Sequence, residues 1–458
     1  MAHSDEEHKD SLSHDEIRQN LRIFITSSGL WSAWSQMAGA GSTVLIGYAL
    51  SLGANASFFA LFASVRSLTG MAQFLSPLIG HRIRDHKRFI LLCRVLACVL
   101  RAGIVAIPFF FASALQPGAL LVLVSISLFC MQAANPFYGG WQASVIPANI
   151  RARFTSRYNI VSTLVGMVVG YLVGLYIDAF TEADKQLGFT YLFSGSTVVA
   201  LASIWVLRRA SFPRPEPPPL SGGGLKLLRA PFKDANFRRA LLFYGSWQFA
   251  QALADPFYSI FMLERLQISY TTISVYSILA MITSIVGMRL WAAPIDRYGS
   301  KAIMTLLVVP HMVFPLLWAF SPARPAALIP LVMGLSGFFS SGFSLCITAL
   351  VYGLLPEGDQ KSTYMGCWAA TASLIYALGN LIGGLLTDLL AAVHLDLWGL
   401  PLDNIQIVFL LRGVMQIVPL VLLRFVPESQ GGTLREWLTQ SQTRVREMVR
   451  QRRMRNGK

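Results

Sequence analysis

Long apolar runs alternate with short polar connections along the whole chain. A helix of about 20 apolar residues crosses the hydrocarbon core of a bilayer. Twelve runs are read as spans, over residues 23–50, 55–79, 89–114, 117–142, 158–178, 188–207, 238–263, 271–293, 302–320, 326–352, 363–390 and 405–425. In lipid every backbone N–H and C=O needs an internal partner, which leaves helices or closed barrels. Runs this long and this continuously apolar are not barrel strands. The predicted fold is an all-α membrane protein with twelve transmembrane helices.

The connections set the topology. Those between spans 1 and 2, 3 and 4, and so on hold only Lys185, Arg265 and Arg324. The tails and the remaining connections hold most of the other basic residues. Basic residues stay on the cytoplasmic side, so both termini are expected there. The first 20 residues are polar and acidic, which makes the first apolar run itself the first expected span. The expected location is a cell membrane, the inner membrane of a bacterium, crossed many times.

The longest internal connection is rich in Pro and Gly, as linkers are. It divides the chain into a tail (1–20), a six-helix bundle (21–207), a cytoplasmic linker (208–236), a second bundle (237–426) and a basic tail (427–458). The bundles repeat one another. "NLRIFITSSGLW" from Asn20 matches "NFRRALLFYGSW" from Asn236 at an offset of 216. "GMAQFLSP" from Gly70 matches "GMRLWAAP" from Gly287, and Leu164, Gly174 and Asp178 match Leu374, Gly384 and Asp388. Repeated halves around a central site are a common construction of secondary transporters.

On these features the chain resembles the major facilitator superfamily over about residues 21–426. That family has a loop signature, G-x-x-x-D-R-x-G-R-K, between the second and third helix of each half. The second copy here is "AAPIDRYGSK", in which Asp296, Arg297, Gly299 and Lys301 fit. The first, "GHRIRDHKR", keeps Gly80 and Arg88, while Arg84 takes the Asp position and Asp85 follows it. The resemblance implies that these loops gate the cytoplasmic side. It also implies a twelve-helix transporter working by alternating access. Gly166, Gly170 and Gly174 line one face of span 5, where small residues let another helix approach closely.

Composition agrees. The chain is 54% hydrophobic and 13% charged, with a mean hydropathy of +0.53, against about a quarter charged in soluble domains. The net charge of +15 could suggest nucleic acid, but these charges sit between spans, so no nucleic-acid partner is expected. Cys93, Cys98, Cys130, Cys346 and Cys367 lie in or beside apolar runs without metal spacing. No phosphate loop and no nucleophile–base set stands out, so neither an enzyme nor a cofactor is expected. The tail after Gly431 has apolar residues at helical spacing among arginines and reads as an amphipathic helix on the anionic leaflet. A monomer is expected.

Charges at membrane depth carry the candidate chemistry, because each is tolerated only beside a cavity or a partner. Arg66 and Arg101 lie near the middle of spans 2 and 3, and Asp255 lies in span 7 beside Pro256. Arg94 and Arg289 sit near span ends, where a long side chain can snorkel. Arg101 reads either as a site residue or as a clamp on neighbouring carbonyls. Gln36, Gln132, Asn135, Tyr138, Trp141, Gln248 and Gln251 add polar groups in spans 1, 4 and 7. Gln248, Gln251 and Asp255 share one helix face. His311 stands alone in span 9 and reads as packed.

The expected function is ion-gradient-coupled transport of a small solute, with a preference for an anionic or zwitterionic one. Arg66 would offer positive charge, and Asp255 would bind a cationic group or carry a coupling proton. The substrate set is Arg66, Gln132, Asn135, Tyr138, Trp141, Gln248, Gln251 and Asp255. Arg101 is a second buried charge, and Gly80, Asp85, Arg88, Asp296, Arg297, Gly299 and Lys301 form the gating loops. Two alternatives remain open: an exporter of amphipathic or hydrophobic compounds, and a non-transporting sensor or assembly factor on the same fold.

Overall fold

The structure is a computed structural model, and it describes residues 14–74, 83, 85–146, 151–181, 184–212, 229, 231–321, 328–354, 361–391, 393, 395–397 and 400–426. Gly80, the first 13 residues, most of the linker and the basic tail lie outside the described residues, as does the side chain of Asp296.

The helices are α1 (His14–Ala38), α2 (Thr43–Ser51), α3 (Ala56–Thr69), α4 (His86–Ala102), α5 (Gln116–Val145), α6 (Arg151–Asp178), α7 (Lys185–Arg208), α8 (Ala235–Ala254), α9 (Tyr270–Tyr298), α10 (Ser300–Ala319), α11 (Leu328–Leu354), α12 (Lys361–Leu389), α13 (Asn404–Met415) and α14 (Ile417–Leu422). A short antiparallel hairpin, Leu395–Leu397 with Leu400–Leu402, precedes α13. Among the described residues, nine helices are long and apolar enough to cross a membrane. These correspond to spans 3–6 and 8–12. Spans 1 and 7 are interrupted, and span 2 is described only as far as Phe74. Span 1 is cut between Ala38 and Thr43, and α3 gives way to a 3-10 turn at Gly70. Span 7 is cut at Asp255–Pro256, since Pro donates no backbone hydrogen bond.

The chain divides into two compact units. The first holds residues 1–222 together with 255–275 and 380–385, and the second holds 223–254, 276–379 and 386–458. In the first, α1 packs on α6 and α7, α4 on α5 and α7, and α3 on α5. One end of its core is aromatic, with the Phe24 ring 5.4 Å from Trp141 and 6.4 Å from Phe154, both edge to face. In the second, α10 packs on α11 and α13, and α8 on α13 and α14. Its core centres on Trp247, stacked 3.7 Å from Phe343. Large apolar side chains such as Leu92, Val198 and Leu290 point outward. In water they would form an aggregation-prone surface; in a bilayer they meet lipid.

The repeat is visible inside each unit. In the first, Lys87 Nζ donates to the Ala210 carbonyl at 2.7 Å. In the second, Lys301 Nζ donates to Val426 O at 2.7 Å and Arg424 O at 3.2 Å. Each lysine, at the start of its unit's third helix, caps the C-terminal end of the sixth. Carbonyls there have no helical partner and carry the negative end of the helix dipole.

Candidate functional site

The interruption of span 1 is written in small residues, Ala38-Gly39-Ala40-Gly41-Ser42. Ser42 N-caps α2 through Leu45 N, but the end of α1 leaves carbonyls without helical donors. Arg101 serves one of them. It is almost fully buried, its Nη1 donates to Ala38 O, and its guanidinium lies 5.8 Å from the Trp34 ring. This is the clamp reading of Arg101, and it explains a buried arginine without a ligand.

Arg66 sits in the last turn of α3, over the same break. A Cβ built on Gly41 would stand 2.6 Å from Arg66 Nη1, so a bare backbone is what admits the guanidinium. On its other side, Arg66 Nη2 stands 3.8 Å from Asp255 Oδ2, with the two side chains 37% and 44% exposed. Both belong to the first unit. Charges at this depth are tolerated only beside a partner or water, and each of these two has the other as partner. Asp255 itself lies just past the end of α8. Ala38 and Ala254, where α1 and α8 end, are 216 residues apart, the offset of the repeat.

The other predicted residues scatter. Gln36 lies against α6, where Cβ atoms at Gly166 and Gly170 would each come within 3.3 Å of its amide. Ser32 Oγ donates to Ser162 O at 2.6 Å in the same seam. Asn135 Nδ2 donates to Gln132 Oε1 at 2.8 Å, and Asn135 is exposed. Tyr138 accepts from Gln142 Nε2 at 3.2 Å and stacks with Arg94 at 4.4 Å. Trp141 is 1% exposed, and its Nε1 donates to Ser211 O at 2.7 Å. It anchors the end of the sixth helix within an aromatic core and lines no described cavity. Arg94 does not snorkel. It is buried and held between Trp31, at 4.6 Å, and Tyr138, where the ring faces stabilise its charge.

Gln248 and Gln251 do line a cavity, of about 320 Å³, in the second unit. Its wall also includes Trp247, His311, Ser340 and Phe343, residues that the sequence reading had not grouped. His311 Nδ1 lies 2.8 Å from Leu307 O and Nε2 lies 3.0 Å from Ser340 Oγ. A carbonyl can only accept, so Nδ1 carries the proton and Nε2 accepts from the hydroxyl. The available signal was His311 near a serine-rich span 10, but their proximity is a tertiary fact.

Of the loop residues, Asp85 N-caps α4 through Arg88 N at 3.0 Å and pairs with Arg88 Nε at 3.0 Å. That contact is local. Arg297 lies 5.4 Å from the Tyr298 ring. Gly299 has φ +84° and separates α9 from α10, a conformation that favours glycine.

The matched glycines of spans 5 and 11 do matching work. A Cβ on Gly174 would stand 2.8 Å from the Thr271 backbone, and one on Gly384 would overlap the Ala60 Cβ. One turn beyond Gly174, Asp178 accepts from the amides of Tyr270, at 3.0 Å, and Thr271, at 2.7 Å, at the start of α9. Ser274 Oγ adds a bond to Gly170 O at 3.0 Å.

Interrupted helices bearing charge, set among long apolar spans, define a multi-pass helical membrane protein. Comparison with known proteins shows what it is similar to. Residues 240–454 match the family model of the Major Facilitator Superfamily. Over nearly the whole chain the fold matches solved structures. The nucleoside transporter NupG (D323A mutant) superposes with a TM-score of 0.69 at 13% identity, covering 90% of this chain and 99% of that one. A D-xylose-proton symporter gives 0.63 at 17%, covering 91% and 100%. A bacterial homologue of the iron transporter ferroportin, in an inward-facing state, gives 0.64 at 12%, covering 91% and 99%. No curated protein matches the chain in sequence. The second half is thus similar to the major facilitator superfamily in sequence, and nearly the whole chain shares its fold with these solved transporters.

Proposed function

We propose that this protein is a secondary transporter of a small zwitterionic solute. The Arg66–Asp255 pair carries the reading. It is half exposed, loosely held at 3.8 Å, and set beside the ends of α1, α3 and α8. Interrupted helices of this kind hold substrates and coupling ions in secondary transporters. An unpaired Arg66 would favour an anion. Paired with Asp255, it offers both signs at once, which suits a solute carrying both an anionic and a cationic group. Its solved neighbours are transporters rather than enzymes, which supports transport and leaves the substrate to be assigned here.

The test is uptake into proteoliposomes of zwitterionic, anionic and neutral solutes, with and without a proton gradient. Uptake of a zwitterion should fall at least tenfold in Arg66→Gln and in Asp255→Asn, a difference of about 1.4 kcal/mol in the transition state. Unchanged uptake in both variants would remove the pair from the solute site.

A second reading rests on the cavity of Gln248, Gln251 and His311. Its amides, hydroxyls and aromatic faces suit a neutral hydrogen-bonding solute, with the charge pair reserved for coupling. In that case Gln251→Ala abolishes neutral-solute uptake. Asp255→Asn then retains downhill exchange but loses accumulation against a gradient.

A further inference from the structure

A groove of about 600 Å³ runs along the second unit and shares no lining residue with the cavity of Gln248 and His311. Leu242, Phe249, Ile375, Met415 and Val418 line it, and Arg238 lies in its wall. Gly245 helps to open it, since a Cβ there would stand 2.6 Å from the Ile375 side chain. The walls face outward: Leu242 is 63% exposed and Val418 46%. Arg238, in the first turn of α8, is exposed and is steadied by Nη1 contacts to Phe232 O at 3.1 Å and Lys233 O at 3.4 Å. A guanidinium has five N–H donors, so several remain. Lys233 and Arg239 are exposed beside it. The acid nearest in sequence, Asp234, already accepts from the amides of Asn236 and Phe237.

We propose that this groove binds one anionic phospholipid, with an acyl chain along Leu242, Phe249 and Val418 and the phosphate on Arg238. An outward apolar slot in a membrane span is filled by chain. An arginine where the span meets the basic face stands at headgroup depth, and basic pockets between helices recognise anionic headgroups. A guanidinium fork matches phosphate oxygens in pairs. The local excess of three basic groups over one engaged acid selects an anionic lipid over a zwitterionic one.

Native mass spectrometry and thermal unfolding of the purified full chain test this, with phosphatidylglycerol and phosphatidylcholine added to the detergent. Phosphatidylglycerol should bind and should raise the unfolding temperature more than phosphatidylcholine does. In Arg238→Gln its affinity should drop about fivefold, the worth of one arginine at an anionic surface, leaving phosphatidylcholine binding unchanged. Gly245→Leu should fill the groove and weaken both lipids; should it fail to fold, the surface variant Arg238→Gln carries the test. Equal stabilisation of the native protein by the two lipids overturns the proposal. So does a phosphatidylglycerol preference that survives Arg238→Gln, or stabilisation reproduced by inorganic phosphate alone. An amphipathic dye that displaces the lipid and is itself transported overturns it in favour of a solute path.

Discussion

The breaks after α1 and after α8 occupy matched places in the repeat and are built from opposite materials. The first is all small residues, Gly39-Ala40-Gly41, and it imports its charge: Arg101 reaches Ala38 O, and Arg66 lies over Gly41. The second, Asp255-Pro256, supplies its own charge and ends the helix by removing a backbone donor. One backbone plan has thus been kept twice while the side chains diverged. The two arginines at the first break also differ. Arg101 is buried and committed to a carbonyl; Arg66 is half in water and only loosely paired. A buried charge committed to a carbonyl is a clamp, and a wet, loosely paired one is free to exchange partners.

The sharpest way to break that distinction is Arg101→Ala. It empties a buried site and strands the Ala38 carbonyl, and should cost about 3 kcal/mol of stability, read as a large drop in unfolding temperature in detergent. An Arg101→Ala protein of normal stability but lost uptake would make Arg101 a solute residue. Next comes Gly174→Val, which drives a side chain into the Thr271 backbone. It should cost about 2 kcal/mol or shift the protein to a conformer in which residues 270–274 leave α6. Cysteine accessibility at Ser274→Cys separates the two outcomes. Smaller still in stability is Asp255→Asn, at under about 1 kcal/mol because its partner is half solvated, despite its large expected effect on uptake. A stability loss as large as that of Arg101→Ala would turn the pair into a second clamp. The smallest effects belong to Lys87→Ala and Lys301→Ala. Each removes one half-buried helix-end cap and should cost about 0.5 kcal/mol. Equal losses would mean that the repeat kept the function of this contact; unequal ones would assign the work to one half.

Much of the fold was legible in sequence. Nine spans were long and apolar enough to stand on their own. Spans 1 and 7 are broken by small residues and by Asp255-Pro256, and span 2 runs on beyond the described residues at Phe74. What the pattern could not do was sort the polar residues. Trp141 and Gln248 look alike as amphipathic groups in a span. Yet Trp141 is spent on Ser211 O in an aromatic core, while Gln248 lines a cavity with His311. Arg94 seemed close enough to a span end to reach water and is instead enclosed by Trp31 and Tyr138.

The sequence by itself determined that this chain lives in lipid and that its two halves repeat. Those properties depend on local transfer free energy and backbone chemistry, which each short stretch carries within it. Only the tertiary structure decided that Arg66 meets Asp255 across 189 positions of chain, that Arg101 closes the first break, and that Arg238 stands in the wall of an apolar groove. Those depend on which helix faces which, set by packing of small residues such as Gly41, Gly174 and Gly245. In a bilayer an apolar face fits a neighbouring helix and the lipid almost equally well, so hydrophobicity alone leaves the choice open.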